Sequence, residues 1–301
     1  MSVRAVPVVN AMTIDVEDYF HVSVFDGVVP RSRWTRLEDR VCANTERVLG
    51  LLEEAQVRAT FFVLGWVAAR HPGLVRTIAA GGHEIASHGY AHRLVYDQTP
   101  AAFREDVTRA KAVLEDASGA EIIGFRAPSY SITPRSLWAL DVLMAAGYRY
   151  DASIFPIHHD RYGIPVSARH PYRIDRNGAS LVEVPASAAR VLGLNVPVGG
   201  GGYFRILPYA WTRWGIARIN RVEGRPAVFY LHPWELDPDQ PRLKASGLSR
   251  FRHYCNLHQT APRLRRLLRD FAFAPMAQVM LPEADKAAAP DSLSVALPYL
   301  W

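Results

Sequence analysis

VVNAMTIDVED, residues Val8 to Asp18, runs apolar for most of its length and then places three carboxylates in its last four positions. RATFFVL, residues Arg58 to Leu64, is a second short run rich in aromatic and β-branched side chains. Runs that are apolar with little alternation read as strands buried on both faces, the pattern of a parallel sheet covered by helices. The carboxyl ends of such strands are where α/β folds place their active groups. Val8 to Ile14 is therefore read as a buried strand, and the acids after it as candidates for chemistry.

The segments around these two runs keep the same rhythm. Val41 to Ala55 is predicted as a helix with Val48, Leu49 and Leu52 on one face. His71-Pro72 opens another that ends at Gly81-Gly82, with proline in the first turn and glycine past the last. Glu84 to Ser87 reads as a strand. Thr99-Pro100 then starts a helix whose Phe103, Val107, Ala110 and Leu114 form one stripe. Ile122 to Phe125 is a strand, Thr133-Pro134 to Gly147 a helix with a threonine cap, and Tyr148 to Tyr150 a further strand. After Asp151 the alternation fails. Residues 152–205 are rich in Pro, Gly and His, with strand candidates at Tyr172 to Asp175 and Leu181 to Val184 and a glycine run, Gly199 to Gly202, read as a turn. A helix over Pro208 to Val222, a strand over Ala227 to Leu231 and a helix over Thr260 to Phe271 follow. The last stretch, with Ala287 to Pro290, is expected in a loose tail.

A chain of 301 residues, 49% of them apolar, can bury one large core. Its net charge of +6 and pI near 9.4 favour anionic partners such as phospholipid headgroups or acidic glycans. Nucleic acid is not among the expected partners: the arginines are dispersed and no recognition motif gathers them. The dense run Arg263 to Arg269 shares its helix with Leu264, Leu267 and Leu268 and reads as a solvated face. Two cysteines, Cys42 and Cys255, provide neither a disulfide framework nor a thiolate metal site. The first residues carry no basic-then-apolar leader, and no stretch reaches the roughly 18 apolar residues of a membrane span. A cytoplasmic protein is expected, with association at the inner membrane surface left open and oligomeric state unreadable.

Four strand ends carry groups capable of chemistry. The first offers Asp15, Glu17 and Asp18. The third runs into Ser87-His88-Gly89-Tyr90-Ala91-His92, two imidazoles at a spacing that lets both reach one ion. The next yields Arg126-Ala127-Pro128, where a guanidinium is either a structural partner for a carboxylate or part of a site. Tyr230-Leu231-His232-Pro233-Trp234-Glu235 closes the series.

An acid pair, then H-x-x-x-H, then R-x-P, then Leu-His, each at a strand end, resembles the polysaccharide deacetylases of the NodB-homology type, carbohydrate esterase family four. The resemblance covers about residues 10–235. Asp15-Val-Glu-Asp-Tyr-Phe-His, Tyr150-Asp-Ala-Ser-Ile-Phe-Pro and Tyr230-Leu-His-Pro-Trp-Glu resemble the branch associated with bacterial exopolysaccharide and exosortase loci. The resemblance implies an α/β fold, a distorted (β/α) barrel over residues 1–235 with an irregular insert at 152–205. A C-terminal extension over 236–280 would pack on the barrel, and 281–301 would be the loose tail. It implies a metal-dependent N-deacetylase of an N-acetylated polysaccharide or oligosaccharide. Glu17, favoured over Asp18, His88 and His92 would hold one divalent ion, zinc foremost, with cobalt, nickel or manganese as alternatives. Asp15 would be the general base held by Arg126, and His232 the general acid, with Asp151 as its carboxylate partner. Backbone amides around Ser129 and Tyr130 would face the oxyanion, and Tyr130 and Trp234 would stack on sugar. Two departures from the usual pattern stand out: Val16 separates Asp15 from Glu17, and Phe155 occupies the place of a groove tryptophan. The competing readings are a cyclic-amide hydrolase of the allantoinase kind, against which the histidine pair argues, and a glycan-binding protein without turnover.

Overall fold

A computed structural model describes residues 8–176 and 178–287. The first half alternates as its sequence demands: β1 (Val9–Val16), α1 (Val41–Glu54), β2 (Thr60–Val63), α2 (Gly65–Arg70), α3 (Pro72–Ala80), β3 (Glu84–Ser87), α4 (Pro100–Ser118), β4 (Gly124–Phe125), α5 (Trp138–Ala145) and β5 (Tyr150–Asp151). Then come β6 (Tyr172–Arg176), β7 (Ala179–Glu183), the hairpin β8 (Ala188–Val191) and β9 (Leu194–Pro197), α6 (Gly201–Ile206), α7 (Tyr209–Val222), β10 (Val228–Leu231), α8 (Gly247–Tyr254), α9 (Leu257–Asp270), β11 (Ala272–Ala274) and α10 (Met276–Ala287). Nine strands share one sheet in the order β10-β1-β2-β3-β4-β5-β7-β6, with β11 also on β1. Every pairing in it is parallel except β6 with β7. This is the distorted (β/α) barrel that the sequence implied.

Side-chain alternation sorts β1 into two faces. Met12, Ile14 and Val16 join the large core beneath the helices, with Val48 and Leu52 of α1 and Phe61 and Val63 of β2. Ala11 turns into the barrel, where it meets Phe62, Ala86, Tyr150, Val182 and Val228. Thr13, Asp15 and Glu17 continue that inward parity, and Asp18 falls on the other. Helix α10 fills the barrel from beneath with Met276, Met280 and Ala284. Its first turn is anchored by β-strand acceptors: the Met276 N–H donates to Thr60 Oγ1 at 2.7 Å, and the Ala277 N–H to the Glu84 carboxylate at 3.1 Å. A carboxylate at a helix N-terminus is favourable there because it meets unpaired N–H groups. Residues 281–287, expected in a loose tail, are thus the last turns of a packed helix; the remainder of that expected tail lies outside the described residues.

The glycine run is more than a turn. Gly200, at φ 125°, bridges to Tyr230, and a Cβ there would stand 1.9 Å from the Tyr230 carbonyl oxygen. Only glycine lets this segment press against β10. Among the described residues no helix is long and apolar enough to cross a membrane.

Because Met280 is buried inside the barrel, Met280→Ala should cost about 2–5 kcal/mol of stability. Urea unfolding followed by circular dichroism checks this, and an unchanged midpoint would show that α10 does not brace the sheet.

Candidate active site and metal centre

The carboxyl ends of β1, β3, β4 and β10 converge on one cleft of about 200 Å3, whose lining includes Asp15, Glu17, His92, Tyr130 and His232. Three donors meet at its base. Glu17 Oε1 lies 3.0 Å from His88 Nε2 and 3.0 Å from His92 Nε2, all three residues buried. The Nδ1–H of His88 donates to the Arg126 carbonyl oxygen at 2.8 Å, which in the neutral ring leaves Nε2 as a bare lone pair. Two ring nitrogens and a carboxylate oxygen at this separation suit a shared cation: bonds of roughly 2.0–2.2 Å at tetrahedral angles place ligand atoms a little over 3 Å apart. The residues therefore fit a divalent metal. A second group, Asp39, Cys42 and His71, also clusters, but it is partly exposed and His71 is already paired with Asp39 at 2.6 Å.

Asp18 does different work from Glu17. Its carboxylate accepts the N–H groups of Arg40 and Val41 at 2.8 and 3.0 Å, so it caps α1 across the loop. Burial pushes its pKa up to about 7 despite those bonds. His21 fixes the same turn, its Nδ1 accepting the Asp18 N–H at 2.9 Å.

Arg126 lies against Asp15. Its Nη1 donates to Asp15 Oδ1 at 2.6 Å and to Thr13 Oγ1 at 2.9 Å. The other oxygen, Asp15 Oδ2, is 3.9 Å from His232 Nε2, and His232 Nε2 is also 3.9 Å from Glu17 Oε1. Asp15 and His232 thus face each other beside the three-donor cluster.

Three expectations are corrected by the structure. Asp151 does not partner His232. It hydrogen-bonds Ser153 and lies opposite Glu183 in the β5–β7 register, with both carboxyls held up by burial, Asp151 at about 6. The carboxylate on His232 Nδ1 is Glu235, at 2.7 Å, one tight turn along the chain. Trp234 does not offer a sugar platform: it is buried and stacked by His232 (5.2 Å, 23°) and His253 (4.2 Å, 14°). The Tyr130 amide is occupied by the Ala127 carbonyl at 3.1 Å, although the Tyr130 ring does line the cleft, edge-on to Tyr230. Phe155 is buried against Tyr130 and Tyr162.

Two contributors were missed from sequence. Glu235 had a readable signal, an acid three residues after a turn-starting residue with proline between, the spacing of a capping box. Its Oε1 accepts both the His232 N–H at 3.0 Å and the ring Nδ1–H at 2.7 Å. Arg205, on α6, had none. Its Nε donates to Glu235 Oε2 at 2.5 Å, and its other nitrogens tie to the carbonyls of Arg252, His253 and Cys255 at the end of α8. Burial would raise Glu235, but Arg205 and His232 outweigh it and hold that carboxyl down at about 2. Burial would likewise depress His232; the carboxylates of Glu17, Glu235 and Asp15 prevail and lift it to about 9.

The polysaccharide deacetylase family model matches residues 34–150, and a model described as a domain of unknown function, DUF3473, matches residues 152–281. Among curated proteins the chain is similar to a chitooligosaccharide deacetylase of Bradyrhizobium sp. (strain ANU 289), 33% identical over 99 residues, which is 33% of this chain and 43% of that one. It is also similar to a peptidoglycan-N-acetylglucosamine deacetylase of Bacillus cereus, 31% identical over 98 residues, 32% of this chain and 36% of that one. The match spans less than half the length of each of these relatives. A solved Mycobacterium smegmatis protein, assigned as a polysaccharide deacetylase, shares the fold over 94% of this chain and 95% of its own, with TM-score 0.62 at 24% identity. An allantoinase shares it too, over 94% of this chain and 91% of its own, with TM-score 0.59 at 15% identity.

In metal-free protein the His232 ring should titrate near pH 9, followed by NMR of its ring protons. Glu235→Gln removes a facing carboxylate, so the midpoint should move toward the ordinary range near 6.5. An unmoved midpoint would show that Glu235 does not govern this ring.

Proposed function

We propose, because residues 34–150 match the polysaccharide deacetylase family model and the chain is similar to curated deacetylases, that it belongs to this family and hydrolyses the acetamide of N-acetylated sugar residues, releasing acetate and leaving a free amine. One observation carries the reading: His232 Nε2 and Asp15 Oδ2 face each other across 3.9 Å, directly beside the point where Glu17, His88 and His92 converge. Amide hydrolysis needs a base for water and an acid for the nitrogen at one carbonyl, and this pairing can place both.

In this reading Glu17, His88 and His92 hold a divalent ion, zinc foremost. When bound, such an ion polarises the acetyl carbonyl and makes water more acidic. Asp15 Oδ2 takes the proton from water as its oxygen adds to the carbonyl carbon, while Arg126 holds Oδ1 and keeps the free oxygen aimed at the cleft. His232 Nε2 then gives its proton to the departing nitrogen as the C–N bond breaks. Glu235, locked by Arg205, keeps that ring oriented and charged beforehand. The base is fixed by one buried arginine and the acid by another, so neither has to reorganise during the reaction.

We assign the body of the barrel to residues 8–235 and the extension to 236–280, which adds β11 to β1 and begins the helix that fills the barrel, with the segment around Arg205 and α8 completing the acid. The likeness of the site phrases to the exopolysaccharide branch supports an N-acetylated exopolysaccharide or its oligosaccharide precursor as substrate.

His88→Ala and His92→Ala should each lose bound zinc by elemental analysis and release no acetate from N-acetylglucosamine oligomers. Retained metal would discard the ligand assignment. Asp15→Asn and His232→Ala should keep the metal but lower kcat roughly 100-fold or more. Full turnover in either would reject its role.

A further inference from the structure

The outer wall of the cleft carries charge that the hydrolysis does not use. Asp15 and Glu17, on the floor, are the only carboxylates among the described residues that line it, and both are engaged by Arg126 and the histidine pair. Above them stand two guanidinium groups from separate segments, Arg161 of the loop before β6 and Arg252 of α8. Arg205, the third arginine of the lining, is consumed by Glu235. Among the described residues the Arg161 guanidinium donates to a neutral partner in the cleft, Ser23 Oγ at 3.0 Å. Arg252 lends its backbone carbonyl to Arg205, and its charge reaches His159, which lines the same cleft. Two acids stand near Arg161: Asp160, largely exposed, and Asp26, which is paired with Arg31 at 3.8 Å and also feels the Arg161 charge.

The alternative grip on a sugar, an open aromatic face, is scarce here. Trp234 is stacked by two histidines, and Tyr162 is covered by His159 at 3.8 Å with rings within 10° of parallel. A neutral glycan would therefore find few faces to stack on, whereas an anionic one would find two forked donors in a partly enclosed site, where charge-assisted bonds are strong. We propose that Arg161 and Arg252 select an N-acetylated glycan bearing negative charge, a carboxylate or a phosphate, next to the residue that loses its acetyl group. This rests on the deacetylase reading above.

The test compares acetate release by zinc-loaded enzyme from neutral N-acetylglucosamine oligomers, from oligomers alternating N-acetylglucosamine with glucuronate, and from oligomers carrying a terminal phosphate. The binding of each is measured by calorimetry. At least one anionic series should be favoured by roughly tenfold or more in kcat/KM and in affinity, and which series wins distinguishes carboxylate from phosphate. The advantage should reside in KM, shrink as salt is raised, and collapse in the Arg161→Gln/Arg252→Gln double variant. Equal or better use of neutral oligomers, or an anionic preference that survives in the double variant, overturns the selection while leaving deacetylation intact. Absence of acetate from every series overturns the deacetylase reading instead, and calorimetry still decides whether the arginines choose anions.

Discussion

The ion pair between Asp15 and Arg126 is the constraint on which the rest of the site depends. Both groups are almost wholly buried, Asp15 2% exposed and Arg126 1%, and an unpaired ion at such depth costs several kcal/mol. The pair is affordable because its geometry is close and because Thr13 and the Ala152 carbonyl take further guanidinium hydrogens. Arg126 also presents its carbonyl to His88, so one residue after β4 holds the proposed base by its side chain and one imidazole of the proposed metal site by its backbone. A displacement of that strand end would disturb both at once. Such coupling is to be expected where charges from β1, β3 and β4 must meet in a space that excludes water.

The segments after residue 151 are part of this arrangement rather than an appendage. β10 pairs with β1 along Ala11 to Ile14 and delivers His232 beside Asp15. Gly200 lets the chain cross β10 closely enough for α6 to present Arg205 to Glu235. α10 closes the barrel beneath. The two matching family models meet near residue 151, yet the sheet continues across that point through β5 and β7. Neither stretch would have a finished interior alone.

How far the sequence could be read follows from how local each determinant is. Strands β1, β2 and β3 were legible because they are buried along almost all their length and bounded by turn residues, and α4 because one stripe of Phe103, Val107, Ala110 and Leu114 is buried along it. The inward parity of Asp15 and Glu17 was implicit in the two-residue period of β1. The hairpin β8–β9 and helices α6, α8 and α10 were not anticipated; α8 is short and polar, and α10 is defined by a barrel interior that no single segment reveals. Asp151 was assigned to His232 on the family resemblance, but β5 and β10 lie well apart in the strand order, and Asp151 instead faces Glu183. Arg205 was illegible because its partner is thirty residues away and the contact exists only once α6 is folded against α8.

That displacement of roles has a physical consequence for the acid. Had its carboxylate come from β5, the orientation of His232 would depend on the distance between two strands of the sheet. With Glu235 on the same tight turn, ring and carboxylate are fixed by a short stretch of backbone, and Glu235 accepts the His232 N–H as well as the ring proton. What remains adjustable is the position of the whole turn, and Arg205 governs this by joining Glu235 to three carbonyls at the end of α8. The same helix carries Arg252 into the cleft. The proposed anion-binding Arg252 and the carbonyls that hold Arg205 therefore share one short element, so a ligand held by Arg252 would act on the same turn that positions the acid, a route by which interactions away from the acetamide can reach the chemical step.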